Sequence, residues 1–269
     1  ANQHTITRRY SEETIRFIKN NKDQPFFIYL AHNLPHVPLF ASKEALGKSA
    51  RGLYGDVVEE IDQGIGTILK ALKEEGLDKN TLVVFTSDNG PWTVFKEQGG
   101  SAGPLFAGKG TTWEGGMRVP TVFWAPGKIA PGIVNQIGST LDLFHTFSTI
   151  AGVPLPKDRT LDSHDLGPLL FEKQKASRDH FLYYRGTQLY AARLGAYKAH
   201  FITQGEYGQF GDKKTHDPPL LYNLNHDPSE QFNIAETHPE VLKNIESLVT
   251  EHKKNMVPGP DQLKDRGVK

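Results

Sequence analysis

The sequence contains no cysteine among its 269 residues. This absence excludes a disulfide framework, a structural zinc site with thiolate ligands and a thiol nucleophile. No Asn-x-Ser/Thr sequon occurs either, so the chain carries no signal for N-glycosylation. Both absences are more typical of a bacterial protein than of an animal secretory protein.

An excess of one charge and long apolar runs are also missing. Lys plus Arg and Asp plus Glu both number 31, which gives a formal net charge of +0. Proteins that bind nucleic acid usually carry a basic excess, so we expect no nucleic-acid partner. No apolar stretch is long enough to span a membrane, and the polar N-terminus has no apolar core of the signal-peptide kind.

The first 156 residues predict an α/β domain. Apolar residues recur at helical spacing over residues 7–19 and 54–75, and a further helix is expected at residues 142–151. Strand, helix and strand in sequence predict a right-handed crossover and a mostly parallel sheet. The strands are expected to be buried on both faces and lie at residues 25–30, 81–86 and 120–124.

The composition changes after about residue 156, and residues 157–269 predict a smaller α+β domain. Strands are expected at residues 180–185, 189–203 (with a turn at 194–196) and 219–224. A helix is expected at residues 238–255, with a proline in its first turn. The predicted fold class is therefore α/β: a mostly parallel sheet flanked by helices, followed by a smaller antiparallel sheet with one helix.

Asp88 and Asn89 follow the predicted strand at residues 81–86, in the position where ligands of an open parallel sheet gather. A carboxylate oxygen and an amide oxygen are hard donors that suit calcium or magnesium. Two such residues are too few for calcium, which takes roughly six to eight oxygens, so a metal site needs further ligands. The spacing alone favours a simple turn, because Asp, Asn and Gly dominate turns.

Lys109 lies in a glycine-flanked segment, residues 108–112 (GKGTT). The glycines would let backbone N–H groups approach an anion, and the lysine would add a positive charge. His36, in a loop with two prolines, could donate a proton or bind an anion. Taken singly, each of these two is more often an ordinary surface residue. A histidine, a lysine and an Asp-Asn pair after successive strands together indicate a site for an anionic ester.

Several motifs, in the right order, resemble the sulfatase family and together cover nearly the whole chain. They are residues 25–29 (PFFIY), 51–56 (RGLYGD), 85–90 (FTSDNG), 108–116 (GKGTTWEGG), 198–201 (KAHF) and 218–224 (PPLLYNL), the last leading into Asp227-Pro228. The resemblance implies an alkaline-phosphatase-like α/β domain with a smaller C-terminal antiparallel sheet. It also implies calcium-dependent hydrolysis of the sulfate ester of an aryl compound or a sugar.

The resemblance implies a role for each matching residue. Asp88 and Asn89 would bind calcium. Lys109 and His36 would hold the sulfate group and act in catalysis. His200 could contact a sugar substrate together with His216 and Tyr184, and structural roles fit these last three residues equally well. The substrate class is divided between sulfated lipid-type sugars and sulfated amino sugars.

The chain departs from the family at the nucleophile. The family uses a formylglycine made within a Cys/Ser-x-Pro-x-Arg motif, and neither form of this motif is present. The family's paired N-terminal aspartates and its lysine-histidine element also have no counterpart. We therefore expect a C-terminal portion of a sulfatase that is inactive alone, with the N-terminal half as a second chain or with a homo-oligomeric partner. A periplasmic or secreted location in a bacterium is expected from the resemblance.

Two other functions are compatible with these residues. One is a non-catalytic paralogue, or an inactive fragment, that binds sulfated glycans without cleaving them. The other is a phosphoesterase of the same superfamily, which usually binds two metals through additional His and Asp ligands. Asp88 and Asn89 suit a single calcium better than a zinc pair.

Overall fold

A computed structural model describes residues 2–256, which fall into two units. The first unit comprises the chain up to Thr86 together with Trp92–Ser101 and Thr121–Ala130; the second comprises Ser87–Pro91, Ala102–Pro120 and the chain from Pro131 onward. The division into domains at residue 156 stays a prediction. Among the described residues, none of the helices combines the length and the apolarity needed to cross a bilayer.

The first unit is built on two helices, α1 (Ile6–Asn20) and α2 (Gly52–Glu74). Both confirm the helices predicted from apolar spacing, to within two residues at each end. Their facing apolar residues form a core that includes Ile18, Ile68 and Leu72, each at most 8% exposed. Two short strands complete the unit, β1 (Val83–Thr86) and β2 (Thr121–Trp124), where strands were predicted.

Two expectations about strands in the first unit are wrong. Residues 25–30 form no strand, and β1 pairs with β2 in antiparallel fashion rather than lying in a parallel sheet. Phe26, Ile28 and Leu30 do pack against the core formed by the two helices. The alternate residues Phe27 and Tyr29 are 68% and 84% exposed. The apolar run therefore buries one face only, and burial without a hydrogen-bonded neighbour does not make a strand.

The second unit contains a four-stranded antiparallel sheet in the order β3-β4-β5-β6. The strands are β3 (His180–Arg185), β4 (Gln188–Leu194), β5 (Tyr197–Thr203) and β6 (Lys214–Asn223). Its helices are α3 (Glu114–Met117), α4 (Asp142–Ile150), α5 (Gly167–Glu172) and α6 (Pro239–Asn255). The smaller antiparallel sheet and its C-terminal helix are confirmed. Strand β6 begins five residues before the predicted start and tolerates two prolines because it lies at the sheet edge.

The two faces of this sheet differ in chemistry because side chains alternate along a strand. On one face, Ala199 and its neighbours Ala192 and Leu221 are fully buried against Ile245 of α6. On the other face, Lys198 and His200 project from β5, and both are fully buried. A lysine and a histidine with 0% exposure need partners that compensate for lost hydration.

Candidate functional site

Two of the predicted site segments are joined by backbone hydrogen bonds. The Gly90 N–H donates to the Gly116 carbonyl at 3.0 Å, and the Lys109 N–H donates to the Pro91 carbonyl at 2.8 Å. The loop that carries Asp88 and Asn89 is therefore fastened at both ends of the segment 108–116. The structure thus brings the Asp-Asn pair and Lys109 into one local assembly, within the second unit.

Three glycines make close backbone contacts here, one between the two segments and two within residues 106–116. A Cβ built on Gly90 would lie 1.8 Å from the Gly115 carbonyl oxygen, and one on Gly115 would lie 2.3 Å from the Phe106 carbonyl oxygen. A Cβ on Gly116 would lie 2.5 Å from the Gly108 carbonyl oxygen. Real Cβ atoms do not approach backbone oxygens so closely, so a side chain at Gly90 would push the two segments apart, and one at Gly115 or Gly116 would distort the segment that carries Lys109.

The Asp88-Asn89 loop presents oxygen atoms. The Asn89 Nδ2 donates to the Gly90 carbonyl at 2.9 Å, which leaves its Oδ1 as the side-chain acceptor, and Asp88 is exposed. Ser87 Oγ donates to the Asn89 carbonyl at 3.1 Å and closes the turn. Across residues 2–256, no group of three or more His, Asp or Glu could hold a metal ion. The donor set fits calcium in chemistry, and its coordination requires further oxygens.

His36 lies in the first unit, in an exposed position of the loop that follows residues 25–30. Its Nδ1 is 2.6 Å from the Val37 carbonyl, and its ring is tilted against Trp92 with centroids 5.4 Å apart. His32, in the same loop, is half-buried, and burial lowers the pKa of its imidazole. Because both ring contacts restrict His36, its imidazole has a defined orientation.

The segment 108–116 carries both Lys109 and Glu114, and Glu114 belongs to a buried network of charges. Lys198 Nζ lies 2.9 Å from Glu114 Oε1 and 3.1 Å from Glu230 Oε1. The second oxygen of Glu230 accepts a hydrogen bond of 2.6 Å from the Glu114 N–H. His200 Nε2 lies 2.7 Å from Glu230 Oε1. Glu114, Lys198, His200 and Glu230 are all at most 4% exposed, so these contacts form away from water.

The protonation states follow from the surroundings of each group. Burial by itself lowers the pKa of Lys198, but the charges of Glu230 and Glu114 outweigh it, so the pKa is raised and the amine is charged. Burial likewise lowers the pKa of His200, so its imidazole is neutral at pH 7. Nε2 then carries the hydrogen that Glu230 accepts. With Arg193 3.8 Å from Glu114, two positive groups balance two carboxylates.

The network is not optimised for stability alone. Trp113 Nε1 and His200 Nδ1 are buried without a hydrogen-bond partner among the described residues, although the two rings stack with centroids 4.1 Å apart. Each unsatisfied buried polar atom costs about 1–3 kcal/mol. Glu230 also adopts a left-handed backbone conformation, with φ 53°. Such costs concentrate where a precise local geometry is needed.

Sequence reasoning missed Glu114, Lys198 and Glu230 as parts of the site. A signal for Lys198 was present, since a lysine and a histidine at alternate positions of the strand pattern YKAHFIT share one face. Glu230 lies 116 residues from its partner Glu114 and follows no regular pattern. His200 was expected to contact a substrate. The structure places it at 0% exposure in contact with Glu230 and Trp113.

Comparison with known proteins agrees with this architecture. The sulfatase family model matches residues 2–153, and the model for the C-terminal region of aryl-sulfatase matches residues 176–268. The chain belongs to the sulfatase family. Its fold is accordingly the alkaline-phosphatase-like α/β class with a C-terminal antiparallel sheet, as predicted.

Individual relatives show how much of a sulfatase the chain represents. N-acetylgalactosamine-6-sulfatase of Mus musculus is 41% identical over a match that covers 96% of this chain and 54% of the relative. Arylsulfatase A of Homo sapiens is 41% identical over a match that covers 84% of this chain and 48% of the relative. The PsFucS1 sulfatase of Pseudoalteromonas sp. superposes with TM-score 0.85 at 27% identity, covering 96% of this chain and 54% of that structure. The chain therefore spans about half the length of the curated relatives it matches.

Proposed function

We propose that the whole protein hydrolyses sulfate esters of a sugar or aryl alcohol, releasing the alcohol and inorganic sulfate. The observation that carries this proposal is the interlock of the Asp88 loop with the Lys109 segment. It joins the loop that offers oxygen donors for a cation to the backbone of Lys109, in a chain that belongs to the sulfatase family. Sulfated sugars and aryl sulfates are the proposed substrate classes.

Lys109 is proposed to contribute a positive charge from a backbone position held by the hydrogen bond to Pro91. Cleavage of a sulfate ester develops negative charge on the leaving oxygen and on the sulfuryl oxygens, and a held ammonium group stabilises that charge. His36 is proposed to donate a proton to the leaving oxygen or to bind the sulfate group. Its contacts with Val37 and Trp92 would keep the ring oriented for either task.

Asp88 and Asn89 are proposed to supply two oxygen ligands of a calcium ion. When bound, calcium acts as a Lewis acid toward the sulfate oxygens. The remaining ligands would come from residues outside these 269, in line with the span of about half the relatives' length. A formylglycine does not fit this sequence, which has no cysteine and no Ser-x-Pro-x-Arg motif, so the nucleophile is also proposed to lie outside it.

We propose a positioning role for His200 in place of direct substrate contact. Its full burial and its bond to Glu230 connect it to the Glu114 N–H rather than to solvent. Together with Lys198, it would hold the end of the segment that carries Lys109. We also propose a periplasmic or secreted location, which cell fractionation tests. The N-terminal half is proposed to lie in the same chain or in a second chain, which detection of the intact protein tests.

The deciding experiment measures sulfate release from 4-nitrophenyl sulfate and N-acetylgalactosamine 6-sulfate by the full-length protein. We expect Lys109→Met to lower kcat/KM by about 100-fold or more, as loss of a preorganised charge does. Asp88→Asn should raise the calcium concentration needed for half-maximal activity, and chelation should abolish turnover. The exposed control variants Lys254→Met and Asp158→Asn should behave like the wild type.

Two results would count against the proposal. Turnover that survives both chelation and Lys109→Met would show that the interlocked segments are not the active site. Tight binding of the sulfated sugar without any turnover would favour the glycan-binding paralogue. The 269-residue chain alone is expected to release no sulfate.

A further inference from the structure

A tight hairpin turn at residues 206–209 lies against the segment that carries Lys109. Glu206 and Gln209 exchange both backbone hydrogen bonds, at 3.1 and 3.0 Å. The two central residues, Tyr207 and Gly208, have φ values of 53° and 74°. Positive φ at both central positions defines a type I′ turn.

Tyrosine is an unfavourable residue at the first central position of this turn. Type I′ turns favour Asn, Asp or Gly there, because in a left-handed residue the Cβ crowds the carbonyl oxygen that follows. Two more non-glycine residues with positive φ occur in the adjoining segments, Ala107 and Phe210, both at 65°. Strain of this kind persists where surrounding packing enforces it, and it clusters at binding and catalytic sites.

The turn touches the residue next to Lys109. A Cβ built on Gly110 would lie 2.5 Å from Glu206 Cγ and 3.3 Å from Tyr207 Cε2, so only glycine fits beneath the turn. On the far side, the ring of Phe210 meets that of Phe106 edge-on, with centroids 5.6 Å apart. The turn and the residue that follows it therefore contact the chain on both sides of Lys109, at Gly110 and at Phe106.

Arg185 fixes the turn from the sheet. Its Nη1 donates to the Gly205 carbonyl at 3.2 Å, and its Nη2 pairs with the carboxylate of Glu206. The Gly205 N–H donates to the Gly211 carbonyl at 2.8 Å and closes the base of the loop. Tyr207 nevertheless stays 48% exposed. The strained turn therefore presents a half-exposed aromatic ring beside Gly110, the residue that follows Lys109.

We propose that Tyr207 is a specificity residue, whose ring packs against the pyranose or aromatic ring of the ester whose sulfate Lys109 holds. The inference rests on the proposed function and deepens it. Aromatic faces pack well against flat apolar ring surfaces, and Lys109 alone recognises only the sulfate. A contact with the substrate explains why tyrosine occupies a position where Asn or Gly would relieve the backbone strain of the turn.

The test compares Tyr207→Asn with Tyr207→Phe in the full-length protein. Asn suits the turn but lacks the ring, whereas Phe keeps both the ring and the strain. Lys173→Asn is the matched control, because Lys173 also has a left-handed φ of 56°, is exposed and caps a different element, α5. Two ligands are titrated calorimetrically into calcium-depleted protein, for which no turnover is expected: N-acetylgalactosamine 6-sulfate, which has a ring, and inorganic sulfate, which has none.

We expect Tyr207→Asn to weaken binding of the sulfated sugar by roughly 3- to 10-fold, the range of one aromatic ring contact. Its affinity for inorganic sulfate should stay within about twofold of the wild type, since the sulfate contacts are unchanged. Tyr207→Phe should bind both ligands like the wild type. Both Asn variants should raise Tm by about 2–4 °C, since each relieves a strained backbone.

Two outcomes would overturn the inference while leaving the proposed function intact. One is a Tyr207→Asn variant that binds and hydrolyses the sulfated sugar like the wild type. The other is an equal loss of affinity for both ligands, which would assign Tyr207 to support of the loop only. A wild-type protein that binds the sugar without cleaving it refutes the proposed function alone, because the comparison of affinities still applies. A wild-type protein that binds neither ligand refutes both.

Discussion

Replacing Lys198 with methionine tests whether the buried charge network maintains the second unit. Methionine fills a similar volume without charge, so the change leaves Glu114 and Glu230 buried without the ammonium that contacts both, at 2.9 and 3.1 Å. Removing one partner of a buried ion pair costs about 3–5 kcal/mol. That is a large part of a typical net stability of about 5–15 kcal/mol. We therefore expect Tm to fall by roughly 10 °C.

The measurement is thermal and urea unfolding of the full-length variant, beside Lys254→Met as a control. Lys254 pairs with Glu251 in an exposed position on α6, where both side chains are about two-thirds exposed. Its loss should cost less than about 0.5 kcal/mol. The double variant Lys198→Met, Glu230→Gln should recover part of the lost stability, because the one remaining carboxylate, Glu114, keeps Arg193 at 3.8 Å as its partner. Equal unfolding of Lys198→Met and Lys254→Met would refute the reasoning.

Three further predictions follow from individual contacts. Gly90→Ala should abolish activity and calcium binding, because its Cβ would lie 1.8 Å from the Gly115 carbonyl oxygen. The control Gly66→Ala, whose Cβ would point into open space on α2, should stabilise the protein by about 0.5–1 kcal/mol. Activity assays and urea unfolding check both variants. Asp142→Asn should cost about 3–5 kcal/mol in urea unfolding, because Asp142 is fully buried and binds Arg178 through two hydrogen bonds of 3.0 and 2.6 Å; a cost below about 1 kcal/mol would contradict this. The free energy of unfolding should fall as the pH drops below about 6.5, because His200 then gains a proton more readily in the unfolded state. His200→Gln should reduce this fall, and urea midpoints measured from pH 8 to pH 4 check it.

The sign of this pH dependence follows from the direction of two pKa shifts. Burial lowers the pKa of His200. Burial alone would raise the pKa of Glu230, but Lys198 and the hydrogen bond from His200 outweigh it and lower it. A group with a lowered pKa in the folded state binds its proton first in the unfolded state, so acid favours unfolding. The contribution of His200 is complete above about pH 6.5 and that of Glu230 above about pH 4.3.

Helices were predictable because their signal is local. The apolar spacing of α1 and α2 predicted both helices to within two residues, since contacts at i+3 and i+4 form within one element. The run at residues 25–30 shows the limit of such reasoning. Its composition indicated a strand, but a strand requires a hydrogen-bonded neighbour, which the run itself does not encode.

The residues of the candidate site could likewise be predicted from the sequence, whereas the contacts that join them could not. Asp88, Asn89 and Lys109 could be named from their residue types and motifs, because oxygen donors and a glycine-flanked lysine have recognisable chemistry. Their assignments as calcium ligands and sulfate-binding residue stay predictions. The backbone hydrogen bonds that join their two segments could not be anticipated, since they depend on glycines packing against a distant part of the chain.

The sequence by itself determined the helices, the antiparallel sheet of the second unit and membership of the sulfatase family, all of which depend on local pattern or on motifs. Only the tertiary structure decided which charges meet. Glu114 bonds to Lys198 across 84 residues and to Glu230 across 116. Such pairs form where distant segments are buried together, because a buried charge without a partner is strongly destabilising. The spacing of residues along the chain does not show which segments meet.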